Sequence, residues 1–196
     1  SYLSVPAEVV VAAMKEHQRY FPVTDKSGRL LPKFIVVANR NERSAEKVRE
    51  GNQNVLNARL ADAKFFWEED KRIKFWSRID SLENIIFQEK LGSYFDRTQR
   101  IVELSRFIAQ NLSLPSEKIG MVEKAAHLCK ADLLTAMVGE FPTLQGIMGR
   151  EYAKQDGYPD EVAIAIAEHY LPRHATDKLP TTEIGVVVSL ADKFDT

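Results

Sequence analysis

Apolar positions recur mostly at helical spacings along this sequence, and most densely between residues 116 and 141. The pattern predicts one continuous buried helix over that segment, which Pro142 ends. Two charged residues, Lys130 and Asp132, lie inside it, and the following segment Gly146–Arg150 places two glycines beside a positive charge. Because glycine lets a backbone approach a neighbour or a ligand closely, this stretch is the first candidate for a functional site.

Two short segments of β-branched and aromatic residues interrupt the helical pattern near the start of the chain. Tyr20–Thr24 and Phe34–Ala38 flank the turn-rich connector 25–29, which predicts a β-hairpin. Two strands alone are marginally stable in water. We therefore expect the partner strands in sequence that precedes residue 1.

Start and stop signals predict the remaining helices. Gly51 is expected to end a short charged helix over residues 44–50, and Asn52 to cap a helix over Gln53–Asp70. Ser93, followed three residues later by Asp96, predicts another helix start. Two further helices are predicted over residues 162–170 and 183–196.

These elements predict a mainly α protein of the α+β class, with one β-hairpin followed by some seven helices. Residues 1–41 are expected to hold a helix and the hairpin, as an incomplete part of a preceding domain. Residues 42–91 are expected to form a helical connector, and residues 92–196 an all-helical domain. Because the sequence stops within an apparent helix, we expect that domain to be truncated at its C-terminus and the chain to be a piece of a longer protein.

Composition narrows the class of protein without identifying it. The 196 residues are 44% hydrophobic and 28% charged, which is too apolar for a disordered chain. No apolar run is long enough to span a bilayer, and a single cysteine suits a reducing compartment, so a cytoplasmic location without membrane association is predicted. The net charge is −1, but residues 15–49 contain nine Lys or Arg and four acidic residues. This segment can contact phosphates, although a solvated charged surface is the favoured interpretation for most of these residues.

Local motifs for catalysis or metal binding are absent from the sequence. The four histidines form neither HxxxH nor HExxH, so a polar or capping role is favoured over metal ligation. Cys129 has Lys130 beside it, but its apolar surroundings favour a core role over a reactive thiol. No glycine-rich phosphate loop and no GxSxG motif is present.

The segment Lys71–Arg78 alternates basic and aromatic residues. Such interleaving can stack on nucleic-acid bases. An amphipathic connector, with its aromatic rings buried and its lysines in water, is the favoured alternative.

Short motifs spread over the chain resemble, in order, those of one family. They are Met14–Val23, Gly51-Asn52, Arg59–Ala63, Phe87–Gly92, Cys129–Leu133, Leu144–Gly149, His169–Arg173 and Ala191–Thr196. The family that they resemble is the bacterial glycyl-tRNA synthetase β subunit.

The resemblance implies a fragment of an ATP-dependent aminoacyl-tRNA synthetase that is a heterotetramer of two α and two β subunits. In that family the α subunit activates glycine with ATP, and the β subunit is chiefly responsible for tRNA binding. The implied partners are tRNA(Gly), the α subunit and the rest of the β subunit. No cofactor is expected in this chain, since ATP and magnesium belong to the α subunit. The chain alone is not expected to be catalytic.

Residues 92–196 also resemble an HD-type helical domain, the fold of metal-dependent phosphohydrolases. The matching positions are Arg97, Cys129, Lys130 and Asp192, of which only Asp192 keeps the residue that the HD pattern has there. Cationic side chains thus stand where a metal would bind, so no metal is expected and phosphohydrolase activity is not favoured. The same replacement suggests, as a hypothesis, a surface that binds phosphate.

Charge and motif position together give seven candidate tRNA contacts: Lys15, His17, Arg19, Arg59, Lys130, Arg150 and Arg173. The alternative for each is an internal ion pair with a nearby acid such as Asp62, Asp132 or Glu168. Three functions therefore remain open. They are a tRNA-binding and scaffold fragment of a glycine–tRNA ligase, an HD-type phosphohydrolase, and a purely structural packing domain.

Overall fold

The structure is a computed structural model that describes Tyr2 and residues 5–16, 18–39 and 45–195. It is mainly helical, with two small two-stranded antiparallel sheets, which confirms the predicted fold class. The chain divides into two compact units, Ser1–Asp70 and Lys71–Thr196. Within the described residues, no helix is both long and apolar enough to cross a bilayer.

The first unit contains two helices and a hairpin. Its elements are α1 (Ala7–Lys15), β1 (Phe21–Thr24), β2 (Leu30–Ile35) and α2 (Ala45–Asp70). The hairpin is confirmed, but β2 starts four residues earlier than predicted because the connector is a tight turn. Asp25 Oδ1 accepts hydrogen bonds from the backbone N–H groups of Ser27 and Arg29, at 2.9 and 3.0 Å, and Gly28 has a φ of +82°.

Helix α2 runs through Gly51 without a break, so the predicted stop at this glycine is wrong. Asn52 does not cap a new helix. Its Nδ2 donates to the carbonyl of Val48 at 2.7 Å, one turn earlier in the same helix. Beyond this point Leu56, Leu60, Ala63 and Trp67, which recur at helical spacings, form a buried apolar stripe on α2.

Besides short 3-10 helices, the described residues of the second unit form six α-helices and a short hairpin. They are β3 (Ile86–Gln88), β4 (Gly92–Ser93), α3 (Tyr94–Asn111), α4 (Ser116–Leu128), α5 (Ala136–Glu140), α6 (Ile147–Gln155), α7 (Asp160–Glu168) and α8 (Glu183–Phe194). Helix α8 packs against α3, α4 and α7. The predicted start of α3 is confirmed, because Ser93 and Asp96 form a reciprocal capping box.

The predicted helix over residues 116–141 is wrong, because the chain breaks it after Leu128. A 3-10 helix follows at Ala131–Leu134, and α5 then starts after Thr135. Thr135 has an extended backbone; its hydroxyl donates to the carbonyl of Asp132 at 2.6 Å and accepts from the N–H of Val138 at 3.2 Å. The threonine hydroxyl therefore ends one turn and starts the next.

The two units differ from the three predicted segments, 1–41, 42–91 and 92–196. Helix α2 belongs with the hairpin because it packs against α1. Residues 71–91 belong with the second unit because the 3-10 helix Asp80–Asn84 packs against α3. In the basic and aromatic segment 71–78, Phe75 is buried and Trp76 is 56% exposed. The favoured interpretation, an amphipathic connector with its aromatic rings buried, therefore holds for Phe75 and not for Trp76.

Candidate functional site

Three of the four HD-like positions converge between α3, α4 and α8. Lys130 Nζ lies 2.9 Å from Asp192 Oδ1, and Arg97 Nη2 lies 3.1 Å from the same oxygen. Arg97 Nη2 also donates to the backbone carbonyl of Asp192 at 3.2 Å. Lys130 is only 2% exposed and Arg97 only 8%. The predicted cations therefore meet one carboxylate in the interior of the second unit.

His169 completes this cluster, and sequence reasoning missed it. Its Nε2 lies 2.9 Å from Lys130 Nζ, and its Nδ1 lies 2.6 Å from the carbonyl oxygen of Ile166. Burial, together with the nearby Lys130 charge, holds the pKa of His169 well below its usual value, so the imidazole is neutral at pH 7. His169 lies within the family motif His169–Arg173, but a search for pairs of histidines in sequence could not reveal a lysine partner 39 residues away.

Aromatic rings complete the surroundings of the two cations. Lys130 Nζ lies 4.3 Å from the centroid of the Tyr170 ring, and the Arg97 guanidinium carbon lies 4.0 Å from the centroid of the Phe87 ring. Both distances are typical of cation–π contacts, which are strongest where water is excluded. We call Arg97, Lys130, His169, Tyr170 and Asp192 the buried cation cluster.

Cys129 lies beside this cluster and is fully buried. Burial raises the pKa of its thiol to about 12, although the charge of Lys130 acts in the opposite direction. The residue therefore remains a thiol at neutral pH and packs as a small apolar side chain, in agreement with the core role favoured from the sequence.

The donor set of the cluster does not fit a divalent metal. His169 and Asp192 are possible ligands, but the Lys130 ammonium already contacts both, and Arg97 adds a second positive charge on Asp192. No three His, Cys, Asp or Glu side chains of the described residues are grouped to hold a metal ion. A second carboxylate, Asp132, lies two residues after Lys130 but accepts hydrogen bonds from Gly146 and Gly149 instead.

Asp132 caps the helix that carries the glycine motif. Its Oδ2 accepts hydrogen bonds from the backbone N–H groups of Gly146 and Gly149, at 2.6 and 3.1 Å. Burial raises the pKa of Asp132 to about 6, while these two hydrogen bonds act to lower it. The carboxylate thus satisfies backbone donors at the start of α6, as acids at helix N-termini do.

Both glycines are required for close packing against the end of α7. A Cβ at Gly146, which has a φ of +79°, would lie 2.7 Å from the Tyr170 ring. A Cβ at Gly149 would lie 2.6 Å from Cγ2 of Ile166. The glycine motif therefore brings the Asp132 cap and the Tyr170 ring together, which is a structural role.

Glu168 is a second buried acid that sequence reasoning offered only as an ion-pair partner. Its carboxylate accepts four hydrogen bonds, from the backbone N–H and the hydroxyl of both Thr181 and Thr182, at 2.5 to 3.1 Å. Burial alone would raise the pKa of Glu168, but these hydrogen bonds outweigh it and lower the pKa. The acid therefore fixes the entry to α8.

The comparison with known proteins decides the family. The model of the family described as glycyl-tRNA synthetase beta subunit matches residues 1–196. The chain belongs to the glycyl-tRNA synthetase beta subunit family.

Curated relatives agree with this assignment. The glycine–tRNA ligase beta subunit of Geobacter sp. (strain M21) is 51% identical over 195 residues, and that of Shouchella clausii (strain KSM-K16) is 52% identical over 196 residues. The Bacillus subtilis (strain 168) protein of the same name is 48% identical over 195 residues. Each match covers 100% of this chain, which spans only 28 to 29% of the length of these relatives.

The candidate tRNA contacts of this beta-subunit chain lie in different surroundings. In the first unit, Lys15 and Arg19 are exposed, while Arg59 is half-buried, 3.8 Å from Asp62. His17 lies outside the described residues.

The other three candidates lie in the second unit. Arg173 is exposed; its Nη2 donates to the carbonyl of Gln145 at 3.0 Å. Arg150 is half-buried, and its Nε lies 2.7 Å from Glu151 Oε1. Lys130 is buried within the cation cluster, so its ammonium has no surface from which to contact a phosphate. The hydrogen bond from Arg173 brings the motifs Leu144–Gly149 and His169–Arg173 together at one surface.

Proposed function

We propose that this chain contributes to tRNA binding and to subunit scaffolding in a glycine–tRNA ligase. The observation that carries the proposal is the family match over all 196 residues, together with 48 to 52% identity to proteins named as beta subunits of that ligase. The partners would be tRNA(Gly), the alpha subunit and the rest of the beta subunit. The alpha subunit would hold the adenylating site with its ATP and magnesium, and this chain alone would not be catalytic.

The tRNA contacts that we propose are exposed cations in each of the two units. Lys15 and Arg19 supply them in the first unit, and Arg173 supplies one in the second. Arg59 and Arg150 are weaker members of the set, because each already lies near an acid. His17 stays in the set on its motif position alone. Lys130 leaves it, because its ammonium is buried against Asp192 and His169.

Packing is the second role, and the interior of the second unit favours it there. Lys130 and Arg97 are both paired with Asp192 inside the unit, and Arg97 also with Asp195, so these charges are not presented at its surface. This arrangement supports a structural role for the HD-like region, and it does not favour a phosphohydrolase. The cytoplasmic location stays a prediction.

A salt series on the complete ligase tests the tRNA contacts. Each phosphate contact that is removed should reduce the slope of log K against log salt by about 0.7 to 0.9. We expect Lys15→Gln, Arg19→Gln and Arg173→Gln each to weaken tRNA(Gly) binding and to reduce this slope, whereas Lys124→Gln, at an exposed lysine on α4, should change neither. Unchanged slopes in all three variants would leave packing as the only role of these residues.

A further inference from the structure

Three groups that contact the Lys130 ammonium are of types that bind cations: an imidazole, a carboxylate and an aromatic ring. An ammonium has three N–H donors. His169 Nε2 and Asp192 Oδ1 each lie 2.9 Å from Nζ, within hydrogen-bond distance, and the centroid of the Tyr170 ring lies 4.3 Å away, in a cation–π contact. We infer that His169, Asp192 and Tyr170 form a site of the fold for a small cation, which this chain fills with the tethered ammonium of Lys130.

The orientation of His169 supports this inference independently of the lysine. A carbonyl oxygen only accepts, so the 2.6 Å contact with the Ile166 carbonyl places the ring proton on Nδ1. The lone pair on Nε2 then points at Lys130. Histidines that ligate metals are held in the same way, with the far nitrogen donating to a carbonyl or a carboxylate. The imidazole is therefore built to receive a cation.

The cation site connects three parts of the second unit that are distant in sequence. Lys130 follows the end of α4, His169 and Tyr170 follow α7, and Asp192 lies on α8. A bound ion at this point would link the same elements. The ammonium supplies that link without any dependence on ion concentration, and its single charge suits a site where Arg97 already contacts Asp192. The ligand class of the emptied site is thus a small monovalent cation with N–H donors.

Chemical rescue tests the inference, with each variant made in the complete protein. Lys130→Ala removes the ammonium and leaves space, and Lys130→Met removes the charge but fills the space. We expect both to lower the thermal midpoint. Methylammonium should restore at least a third of the loss in Lys130→Ala, saturably, whereas tetramethylammonium, which has no N–H donor and is larger, should not. Neither salt should rescue Lys130→Met or alter the control Lys124→Ala. Equal effects of the two salts, or equal rescue of both Lys130 variants, would overturn the inference.

Two measurements on the wild-type protein test the inference without depending on whether a variant folds. The ¹⁵N shifts of His169 should report a protonated Nδ1 and an unprotonated, hydrogen-bonded Nε2 at pH 7, and the opposite tautomer would refute the site. The thermal midpoint of the second unit should be the same in EDTA and in millimolar Mn²⁺ or Zn²⁺. A saturable rise with either metal would mean that the lysine does not occupy the site.

Discussion

Replacing Gly149 by alanine tests the packing that holds the glycine motif against α7. The new Cβ would lie 2.6 Å from Cγ2 of Ile166 and 3.3 Å from Oδ2 of Asp132. Optimal separation between carbon atoms is about 3.5 to 4.0 Å, so one side must move by about 1 Å. Overpacking of this kind costs about 1 to 3 kcal/mol, and alanine recovers about 1 kcal/mol of helix propensity. We expect Gly149→Ala to lower the free energy of unfolding by up to about 2 kcal/mol.

The matched control is Gly120→Ala on α4. Gly120 is also helical, but a Cβ there would meet nothing within 4 Å. Only the propensity gain applies, so this variant should be more stable by about 0.5 to 1 kcal/mol. Urea denaturation of the two variants should therefore differ by about 2 kcal/mol, in opposite directions from wild type. If Gly149→Ala were as stable as Gly120→Ala, the close approach to Ile166 would not exist.

A double-mutant cycle identifies the partner in this contact. Ile166→Ala alone should cost about 2 to 5 kcal/mol, because it opens a cavity at a fully buried position. In that background the Cβ of Gly149→Ala has room, so its cost should fall or change sign. Simple additivity of the two changes would place the strain elsewhere.

Three further outcomes follow from the capping groups. Glu168→Gln should lower the free energy of unfolding by about 2 to 4 kcal/mol at pH 7, because the NH₂ group of the glutamine would face the donors of Thr181 and Thr182. Since the pKa of Glu168 is lowered in the folded state, the stability that its carboxylate gives wild type should be lost in acid titrations only below about pH 4.5. For Asp132 the pKa is raised to about 6, so ionisation opposes folding. On going from pH 7 to pH 5, the free energy of unfolding of wild type should rise by about 1 kcal/mol relative to Asp132→Asn in urea titrations, and a constant difference would refute the raised value. Ser93→Ala should cost about 1 kcal/mol through loss of the capping box at α3, measured by thermal unfolding.

Elements with local causes could be predicted from the sequence. The start of α3 depends on Ser93 and Asp96, which are three residues apart, and the start of α8 at Glu183 follows a threonine cap at Thr182. The apolar stripe on α2 follows from the helical spacing of residues within that one helix. In each case the groups that decide the structure lie within one or two turns of each other.

Elements with distant causes could not be predicted. The break after α4 depends on an Asp132 carboxylate whose donors lie 14 and 17 residues further along the chain. Helical periodicity continued through the break, because the buried 3-10 and α turns reuse the same apolar residues. At Gly51, conversely, a local stop signal failed because Asn52 bonds back into α2.

Some residues of the buried cation cluster could likewise be predicted from the sequence, and others could not. A motif pattern was sufficient to single out Arg97, Lys130 and Asp192, since each departs from or keeps an expected residue type. His169 lacked such a signal, because its partner is a lysine and neither residue belongs to a metal-ligand spacing. Lys130 and Asp132, two residues apart, turned out to serve different partners, and that separation is a property of the fold and not of the spacing.

Burial also limits how much of the positive charge of the sequence can act on RNA. Arg78, Arg97 and Lys130 are at most 8% exposed, so counts of basic residues overstate the surface available to phosphates. Of the described tRNA candidates, Lys15, Arg19 and Arg173 are exposed. Three contacts account for a slope of about 2 to 3 in log K against log salt. If the triple variant Lys15→Gln, Arg19→Gln, Arg173→Gln lowers the slope by that amount, these residues are the phosphate contacts of this chain; if it lowers the slope by less than 1, the tRNA contacts of the ligase lie elsewhere.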